Sequence, residues 1–407
     1  MEIRPIFASL RKHRIPAILI VLEIALARAV LCNAVFMISQ RVGYIHLPNA
    51  IDEQGLAVVT LNGTDEKLAA SEIPRNLAAL RGIAGVQAVG VTSSLPVTGN
   101  NWGWSFGLTP DSSITDQKNT NVSMYFLGEG ADRALGLHLL QGRFFSGEDY
   151  ADSKFGGAPL AETHVVVITR SLAERLWPGQ SPLGKTIYSV PNYYAVVGVV
   201  ADVLRPFLDT GSGSYDVAYY PMSAGGSKGA LGYYLLRGTP RDIPRIVREA
   251  QQKLSEINPM AVAKGTTFSA IRTKYFADMS SMAWMLVLVC VVMLAVTAFG
   301  IVGLTSFWVS QRRRQIGIRR AVGATRGHIL QYFQAENFLL STAGVVIGMV
   351  LAFGINLYLM QHYEMNRMPW YYLPGGAVAL WLLGQLAVLG PALRAANVPP
   401  VVATRSV

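Results

Sequence analysis

The decapeptide WPGQSPLGKT, residues 177–186, is the stretch whose residue types and spacing most directly suggest chemistry. Its Gly179, Gly184, Lys185 and Thr186 satisfy the pattern G-x-x-x-x-G-K-[ST]. In a phosphate-binding loop this pattern surrounds nucleotide phosphates with backbone N–H groups, while the lysine reaches a phosphate and the hydroxyl reaches Mg²⁺. The match raises the question of whether the chain binds ATP.

The order of the flanking elements argues against a nucleotide site. A phosphate-binding loop follows a strand and precedes a helix. Here RSLAERLW (170–177) predicts a helix before the segment, and TIYSV (186–190) predicts a strand after it, because it is rich in β-branched and aromatic residues. Pro182 also removes one N–H. We predict a structural helix–turn–strand connection, with any ATP hydrolysed on another chain.

No other group of residues in the sequence predicts catalysis or metal binding. The six histidines are scattered without metal-ligand spacing, and no Ser-His-Asp or paired-carboxylate arrangement stands out. Cys32 and Cys290, the two cysteines, lie in apolar segments. We therefore predict that the chain is not an enzyme and that it binds no cofactor or metal of its own.

The composition indicates a membrane protein with a large polar domain. Of 407 residues, 51% are hydrophobic and 15% are charged, whereas a soluble domain has about a quarter charged residues. A spanning helix needs about 20 mainly apolar residues. Four segments meet that need: Ile15–Ile38, Met279–Gln311, Asn337–Gln361 and Met368–Leu393.

The polar region between the first two spans predicts an α+β domain. Strands are expected at 56–62 and 120–127, and an amphipathic helix at 240–259. A subdomain is expected to be inserted near 92–215. We also expect a helix and turn over 130–145, followed by a loop over 146–162.

Beyond this domain, a single helix is expected to run from Phe268 through the second span without a breaker. The predicted organisation is a four-helix membrane protein with a large α+β extracytoplasmic domain between helices 1 and 2. Its segments are 1–41 (N-terminus and helix 1), 42–267 (large domain), 268–311 (stalk and helix 2), 312–336 (cytoplasmic elbow), 337–361 (helix 3) and 362–407 (outer loop, helix 4 and tail).

Charge placement predicts the orientation. Residues 42–281 carry 20 basic and 21 acidic residues, so the formal charge of +10 arises beside the spans and does not indicate a nucleic-acid partner. By the positive-inside rule, both termini and the 312–336 elbow are cytoplasmic and the large domain lies outside. The first apolar stretch is longer than a signal-peptide core, so we predict an uncleaved anchor. The basic residues concerned are Arg4, Arg11, Lys12, Arg14, Arg312, Arg313, Arg314, Arg319, Arg320, Arg326, Arg394 and Arg405.

The elbow sequence RRRQIGIRRAVGATRGHIL (312–330) is the most informative segment. It predicts a short basic helix, a break at Gly323-Ala324, and a second helix capped by Thr325. Composition alone also fits simple positive-inside anchoring. The order of residues, however, resembles the signature of the MacB/FtsX-like ABC permease family. The segments GLHLLQGRFFSGED, RSLAERLWPGQSPLGKTI and YAVVGVVADV resemble the MacB-type periplasmic core domain, so the opening decapeptide is itself a structural marker of that family.

The resemblance implies a permease subunit of the bacterial inner membrane. Such subunits work as dimers, of the same or a related chain, on separate ATPase subunits that bind ATP and Mg²⁺. It further implies mechanotransmission to the periplasmic domain and export of a drug, peptide or lipid-like substrate, with a periplasmic adaptor and an outer-membrane channel. No segment of the sequence resembles the ATPase domain that is fused in full-length MacB. The chain therefore resembles a stand-alone permease half. The alternatives are a lipoprotein-releasing permease and an FtsX-like regulator of a cell-wall hydrolase that moves no cargo.

The resemblance also assigns the elbow to ATPase coupling. Ile316 and Ala321 are expected to insert into a groove of the ATPase, and the arginines to pair with its acids and with lipid headgroups. Glu336 is expected to satisfy a basic residue of the elbow. The coupling residues are Ile316, Gly317, Arg319, Arg320, Ala321, Gly323 and Ala324.

Two charged residues interrupt the first span. Glu23 and Arg28 are five apart, about 140° around a helix, so they are not expected to pair with each other. Ionisable residues in spans usually face protein or water. The open alternatives are pairing with another span or across a dimer, snorkelling to the lipid surface, and substrate contact. Gly300 and Gly303 in the second span permit close helix contact, although ordinary helix glycines fit equally well.

Overall fold

The structure is a computed structural model that describes residues 14–99, 103–110, 120–151, 153, 163–189, 192–208, 213–227, 230–363 and 367–397. The chain forms two compact units, which are described separately below. The membrane unit comprises Met1–Ile45 and Met279–Val407, and the large domain comprises His46–Asp278.

The regular elements follow one another along the chain as eleven helices and eleven strands in the described residues. The helices are α1 (Arg14–Ile45), α2 (Ala69–Arg81), α3 (Ala131–Leu135), α4 (Gly147–Ala151), α5 (Arg170–Leu176), α6 (Ile243–Ile257), α7 (Phe268–Tyr275), α8 (Ala277–Gln311), α9 (Arg313–Ala321), α10 (Arg326–Tyr363) and α11 (Tyr372–Ala396). The strands are β1 (Leu56–Asn62), β2 (Ala88–Thr92), β3 (Gly103–Phe106), β4 (Thr120–Leu127), β5 (Leu139–Gly142), β6 (Val165–Thr169), β7 (Thr186–Ser189), β8 (Asn192–Val200), β9 (Val217–Pro221), β10 (Tyr233–Arg237) and β11 (Val262–Thr267). A 3₁₀ turn over Glu66–Leu68 precedes α2.

Four helices of the membrane unit, α1, α8, α10 and α11, are long and apolar enough to cross a bilayer. α10 packs against α1 through two glycines four residues apart. A Cβ at Gly344 would lie 3.0 Å from the Val21 carbonyl oxygen, and one at Gly348 would lie 2.7 Å from that of Ala25. Small residues at this spacing let two membrane helices approach closely. The contact fixes α10 against the first span.

The large domain is built on one eleven-stranded sheet. Its strand order is β11-β1-β10-β2-β4-β9-β6-β8-β5, with β3 beside β4 and β7 beside β8. The β4–β9 and β6–β8 pairs are parallel, and the other pairs are antiparallel. β2 and β4 pair only at Thr92 and Leu127, so β3 to β9 form the second half of the sheet beyond that narrow join. The predicted membrane unit with an α+β domain between its first two spanning helices is confirmed.

The core of the large domain explains why its helices form where they do. The apolar residues of α6 recur every three or four positions, and this stripe, which includes Ile246 and Leu254, is buried. α2 likewise buries Ile73, Leu77 and Leu80. Both stripes belong to one apolar cluster with the inward-facing residues of the strands. A helix with such a stripe gains its stability from packing rather than from intrinsic propensity.

Several predicted elements differ from the structure. The single helix expected over 268–311 is divided, because Phe276 leaves helical geometry between α7 and α8 with φ −90° and ψ 2°. The helix expected over 130–145 stops at Gly136, whose φ of +70° is the left-handed conformation that ends helices. Strand β5 follows it. Part of the loop expected over 146–162 is helix α4, and the rest lies mostly outside the described residues. Strand β11 was not predicted.

Candidate functional site

The G-x-x-x-x-G-K-T segment lies in the predicted helix–turn–strand connection. Helix α5 precedes it, and strand β7 begins at Thr186. Lys185 donates a hydrogen bond to the Gln180 side chain, and its ammonium lies 5.4 Å from the centre of the Trp177 ring. The lysine that would hold a phosphate is therefore engaged within its own turn. The geometry is that of a structural connection between helix and strand.

The elbow joins α8 to α10 through the nine-residue helix α9. Helix α9 ends in a Schellman motif: the Gly323 N–H donates to the Arg320 carbonyl, and the Ala324 N–H donates to the Arg319 carbonyl. Gly323 has φ +104°, which favours glycine at this position. The Thr325 hydroxyl oxygen then accepts from the His328 N–H and caps α10. The predicted break and cap are both present.

A buried ion pair anchors the start of the elbow. Arg312 Nη1 lies 3.2 Å from both carboxylate oxygens of Glu336, and both side chains are buried. The Arg312 guanidinium also lies 5.4 Å from the centre of the Trp308 ring. The ion pair thus joins the end of α8 to α10 across the short helix. Glu336 pairs with a basic residue of the elbow, as predicted.

The inner face of α9 packs against other helices of the same chain. Ile316 is 4% exposed and belongs to an apolar cluster that includes Ile329 and Phe333. The Arg319 guanidinium lies 5.0 Å from the centre of the Tyr332 ring. Arg320 donates a 3.0 Å hydrogen bond to the Ala396 carbonyl at the end of α11, where a cation is favoured by the helix dipole.

The expectation that Ile316 inserts into a partner is therefore wrong for this conformation, because its side chain is packed inside the membrane unit. Gly317 is also buried, and Ala324 is half-buried against the same cluster. Arg319 lies over the Tyr332 ring and Arg320 donates to the Ala396 carbonyl. Their pairing with acids of an ATPase and with lipid headgroups stays a prediction. Ala321 and Gly323 are exposed, as a docking role requires.

Two apolar residues that the sequence did not single out lie on the outer face. Ile318 is 49% exposed and Val322 is 84% exposed. Two residues correspond to about 200° around a helix, so Ile318 lies opposite Ile316. Arg314, four residues before Ile318, is also exposed on this side. We call Arg314, Ile318, Ala321 and Val322 the outer face of the elbow; it combines apolar side chains with positive charge.

The two intramembrane charges lie against different helices. The Glu23 carboxylate contacts α8 at Gly300, where a Cβ would overlap it. No non-neighbouring atom lies near the corresponding Cβ position of Gly303. Arg28 is fully buried; its aliphatic part packs on Gly348 and its Nη1 on Gly376 of α11. Glu23 and Arg28 thus make separate contacts between helices.

Within the described residues, no group of three His, Cys, Asp or Glu side chains is arranged to hold a metal ion. Cys32 and Cys290 are both buried free thiols in spanning helices. The chemistry of the described site is accordingly that of packing, hydrogen bonding and charge at the elbow.

Comparison with known proteins assigns both units. A family model for the FtsX-like permease C-terminal matches residues 287–400, which contain the elbow. A model for the MacB-like periplasmic core domain matches residues 30–261, more than half of the chain. The chain belongs to the MacB/FtsX-like family of ABC transporter permeases. Neither matching model describes an ATPase domain.

Relatives of this family resemble the chain over most of its length. An uncharacterized ABC transporter permease, YknZ of Bacillus subtilis, is 25% identical over 71% of this chain and 71% of its own. A macrolide export ATP-binding/permease protein, MacB of Chromobacterium violaceum, is 26% identical over 74% of this chain. The chain spans only 46% of that MacB and 41% of the MacB of Marinobacter nauticus.

Solved structures of two periplasmic or extracellular regions also align with this MacB/FtsX-like chain. The periplasmic region of MacB from Actinobacillus actinomycetemcomitans is 17% identical, with a TM-score of 0.37, and covers 55% of this chain and 92% of its own. The extracellular domain of YknZ is 17% identical, with a TM-score of 0.33, over 51% of this chain and 99% of its own.

Proposed function

We propose that the chain is the permease subunit of a MacB-type ABC efflux system. A separate ATPase binds ATP and Mg²⁺ and docks on the outer face of the elbow from the cytoplasm. A second permease chain completes the membrane part, and a periplasmic adaptor and outer-membrane channel receive the cargo. ATP-driven motion of the elbow is relayed to the periplasmic domain, which drives export.

The observation that carries this proposal is the two-sided elbow. Its inner face is fixed by the Arg312–Glu336 ion pair and by buried Ile316, so movement imposed on α9 is passed to α8 and α10. On its outer face, Ile318 and Val322 are exposed to solvent. Exposed apolar residues beside arginines are typical of a protein interface core with a charged rim. A partner with an apolar groove and acidic edges fits this surface.

Substituting Val322 by Asp is expected to weaken binding of the ATPase by about tenfold or more. Burying a valine at an interface contributes about 1.5–3 kcal/mol, and each 1.4 kcal/mol is a factor of ten in affinity. The measurement is titration of the full-length permease, in lipid nanodiscs, with an ABC ATPase that copurifies with it. Substrate-stimulated ATP hydrolysis of the complex is followed in parallel.

The matched control is the same substitution at Val262, an exposed valine at the edge of the large-domain sheet. That variant is expected to bind the ATPase as the wild type does. Equal ATPase affinity for the wild type, the Val322→Asp variant and an Ile318→Asp variant would refute the docking surface.

A further inference from the structure

The large domain contains a cleft that the elbow does not explain. A space of about 600 Å³ lies between the end of α2, the start of β2 and helix α3. It adjoins a recess of about 310 Å³, and the two share Arg81, Glu129, Gly147 and Tyr150 in their walls. Together they fall within the size range of sites that bind drug-sized molecules.

The two parts of the cleft differ in character. The recess has an apolar floor formed by Ile73, Leu77, Val91, Met222 and Leu231, all of them buried in the core. The larger space is mainly polar. A ligand that fills both must therefore carry an apolar group at one end and polar groups at the other.

The polar part carries charges of both signs. Arg81, Glu129, Asp132 and Arg133 line it, and none of these four side chains forms an ion pair or side-chain hydrogen bond with another described residue. A purely cationic ligand would meet two guanidinium groups here, and a purely anionic one would meet two carboxylates. A ligand with separated positive and negative groups satisfies all four.

Two aromatic side chains form one wall of the polar part. Phe145 and Tyr150 pack edge to face there, with ring centres 6.0 Å apart. Burial, and then the carboxylates of Asp132, Glu129 and Asp149, raise the pKa of the Tyr150 phenol, and Arg133 opposes them with a smaller effect. An aromatic wall beside carboxylates is a favourable environment for an organic ammonium group. Glu129 and Asp132 line the cleft together with these two rings, so a positive group of a ligand is best matched there.

We propose that this cleft binds a short peptide with free termini and apolar side chains. Its ammonium group lies by Glu129 and Asp132, its carboxylate lies by Arg81 and Arg133, and an apolar side chain enters the recess over Leu77. The proposal goes beyond ATPase docking and does not depend on it, since binding to the cleft is measured without any ATPase.

The test is calorimetric titration of the full-length protein in lipid nanodiscs with the tripeptide Leu-Leu-Leu. Saturable binding is expected, and acetylating the N-terminus or amidating the C-terminus should each weaken it by about tenfold, as for loss of one charge-assisted contact. Glu129→Gln should reduce the effect of acetylation, because Asp132 alone then faces the ammonium group. Arg81→Gln should likewise reduce the effect of amidation, because only Arg133 then remains. Ala151→Phe, which fills the recess without changing a charge, should weaken all three peptides.

The matched controls are Glu148→Gln and Arg248→Gln, exposed side chains outside the cleft. Both should bind the free tripeptide as the wild type does, and near-native circular dichroism of every variant confirms folding. Absence of saturable binding, or equal affinity for free and blocked peptides, would overturn the proposal. Tighter binding of a short-chain phosphatidylethanolamine, competing with the peptide, would overturn it in favour of a lipid site.

Discussion

Replacing Glu336 by Met is expected to lower the free energy of unfolding of the membrane unit by about 3–5 kcal/mol. The reason is that Arg312 is buried, and removing its carboxylate partner leaves an uncompensated charge inside the protein. Far-UV circular dichroism during a denaturant titration measures this change, since the four long helices supply most of the signal. The elbow should lose its fixed position in the same variant.

The double variant Arg312→Met/Glu336→Met separates the effect of the unpaired charge from the effect of changed side-chain packing. With both charges gone and similar volume restored, the free energy of unfolding should return to the wild-type value or exceed it. Arg313→Met, the same change at the exposed neighbouring arginine, should stay within about 0.5 kcal/mol of wild type. If Glu336→Met lowers the free energy of unfolding no more than Arg313→Met does, the ion pair does not fix the elbow in place.

The second large effect is expected at Gly376 in α11. A Cβ at this position would overlap Nη1 of Arg28, whose guanidinium is fully buried. The aliphatic part of Arg28 packs on Gly348 of α10, so the side chain is held between two helices. Gly376→Ala should therefore destabilise the membrane unit by about 1–3 kcal/mol, as overpacking does elsewhere. The same denaturant titration measures it.

Gly375, the adjacent residue, provides the control. A Cβ there meets nothing within 4 Å, so Gly375→Ala should be neutral or slightly stabilising. In an Arg28→Met background, whose side chain is shorter and uncharged, the cost of Gly376→Ala should fall sharply. If Gly376→Ala lowers the free energy of unfolding equally in both backgrounds, Arg28 does not pack against Gly376.

The sequence was most informative where the apolar pattern was regular or where residues that end or cap a helix were present. The four spans, the buried strands β1 and β4, the Gly323 break and the Thr325 cap all follow from local residue preferences. The reversed order around the G-x-x-x-x-G-K-T pattern was also readable, since a helix before it and a strand after it exclude a phosphate-binding loop. These features depend on neighbours in sequence, so sequence reasoning can find them.

The features that sequence reasoning missed depend on neighbours in space. α9 carries isoleucines at 316 and 318, on opposite faces, and only the position of Ile329 and Phe333 on α10 decides which one is buried. Strand β11, VAKGTT, has no apolar alternation, and its pairing with β1 at the sheet edge makes it a strand. The cleft in the large domain is likewise assembled from α2, β2, α3 and α4, which are distant in sequence.

The central claim is that the elbow and the large domain lie on opposite sides of the membrane. Cysteine labelling tests it directly, with Met260→Cys (92% exposed) and Val322→Cys (84% exposed) made separately in a chain whose native Cys32 and Cys290 are replaced by Ala. In spheroplasts, a membrane-impermeant maleimide should label position 260 at once and position 322 only after the membrane is permeabilised. Labelling of both positions before permeabilisation, or of neither, would contradict the account.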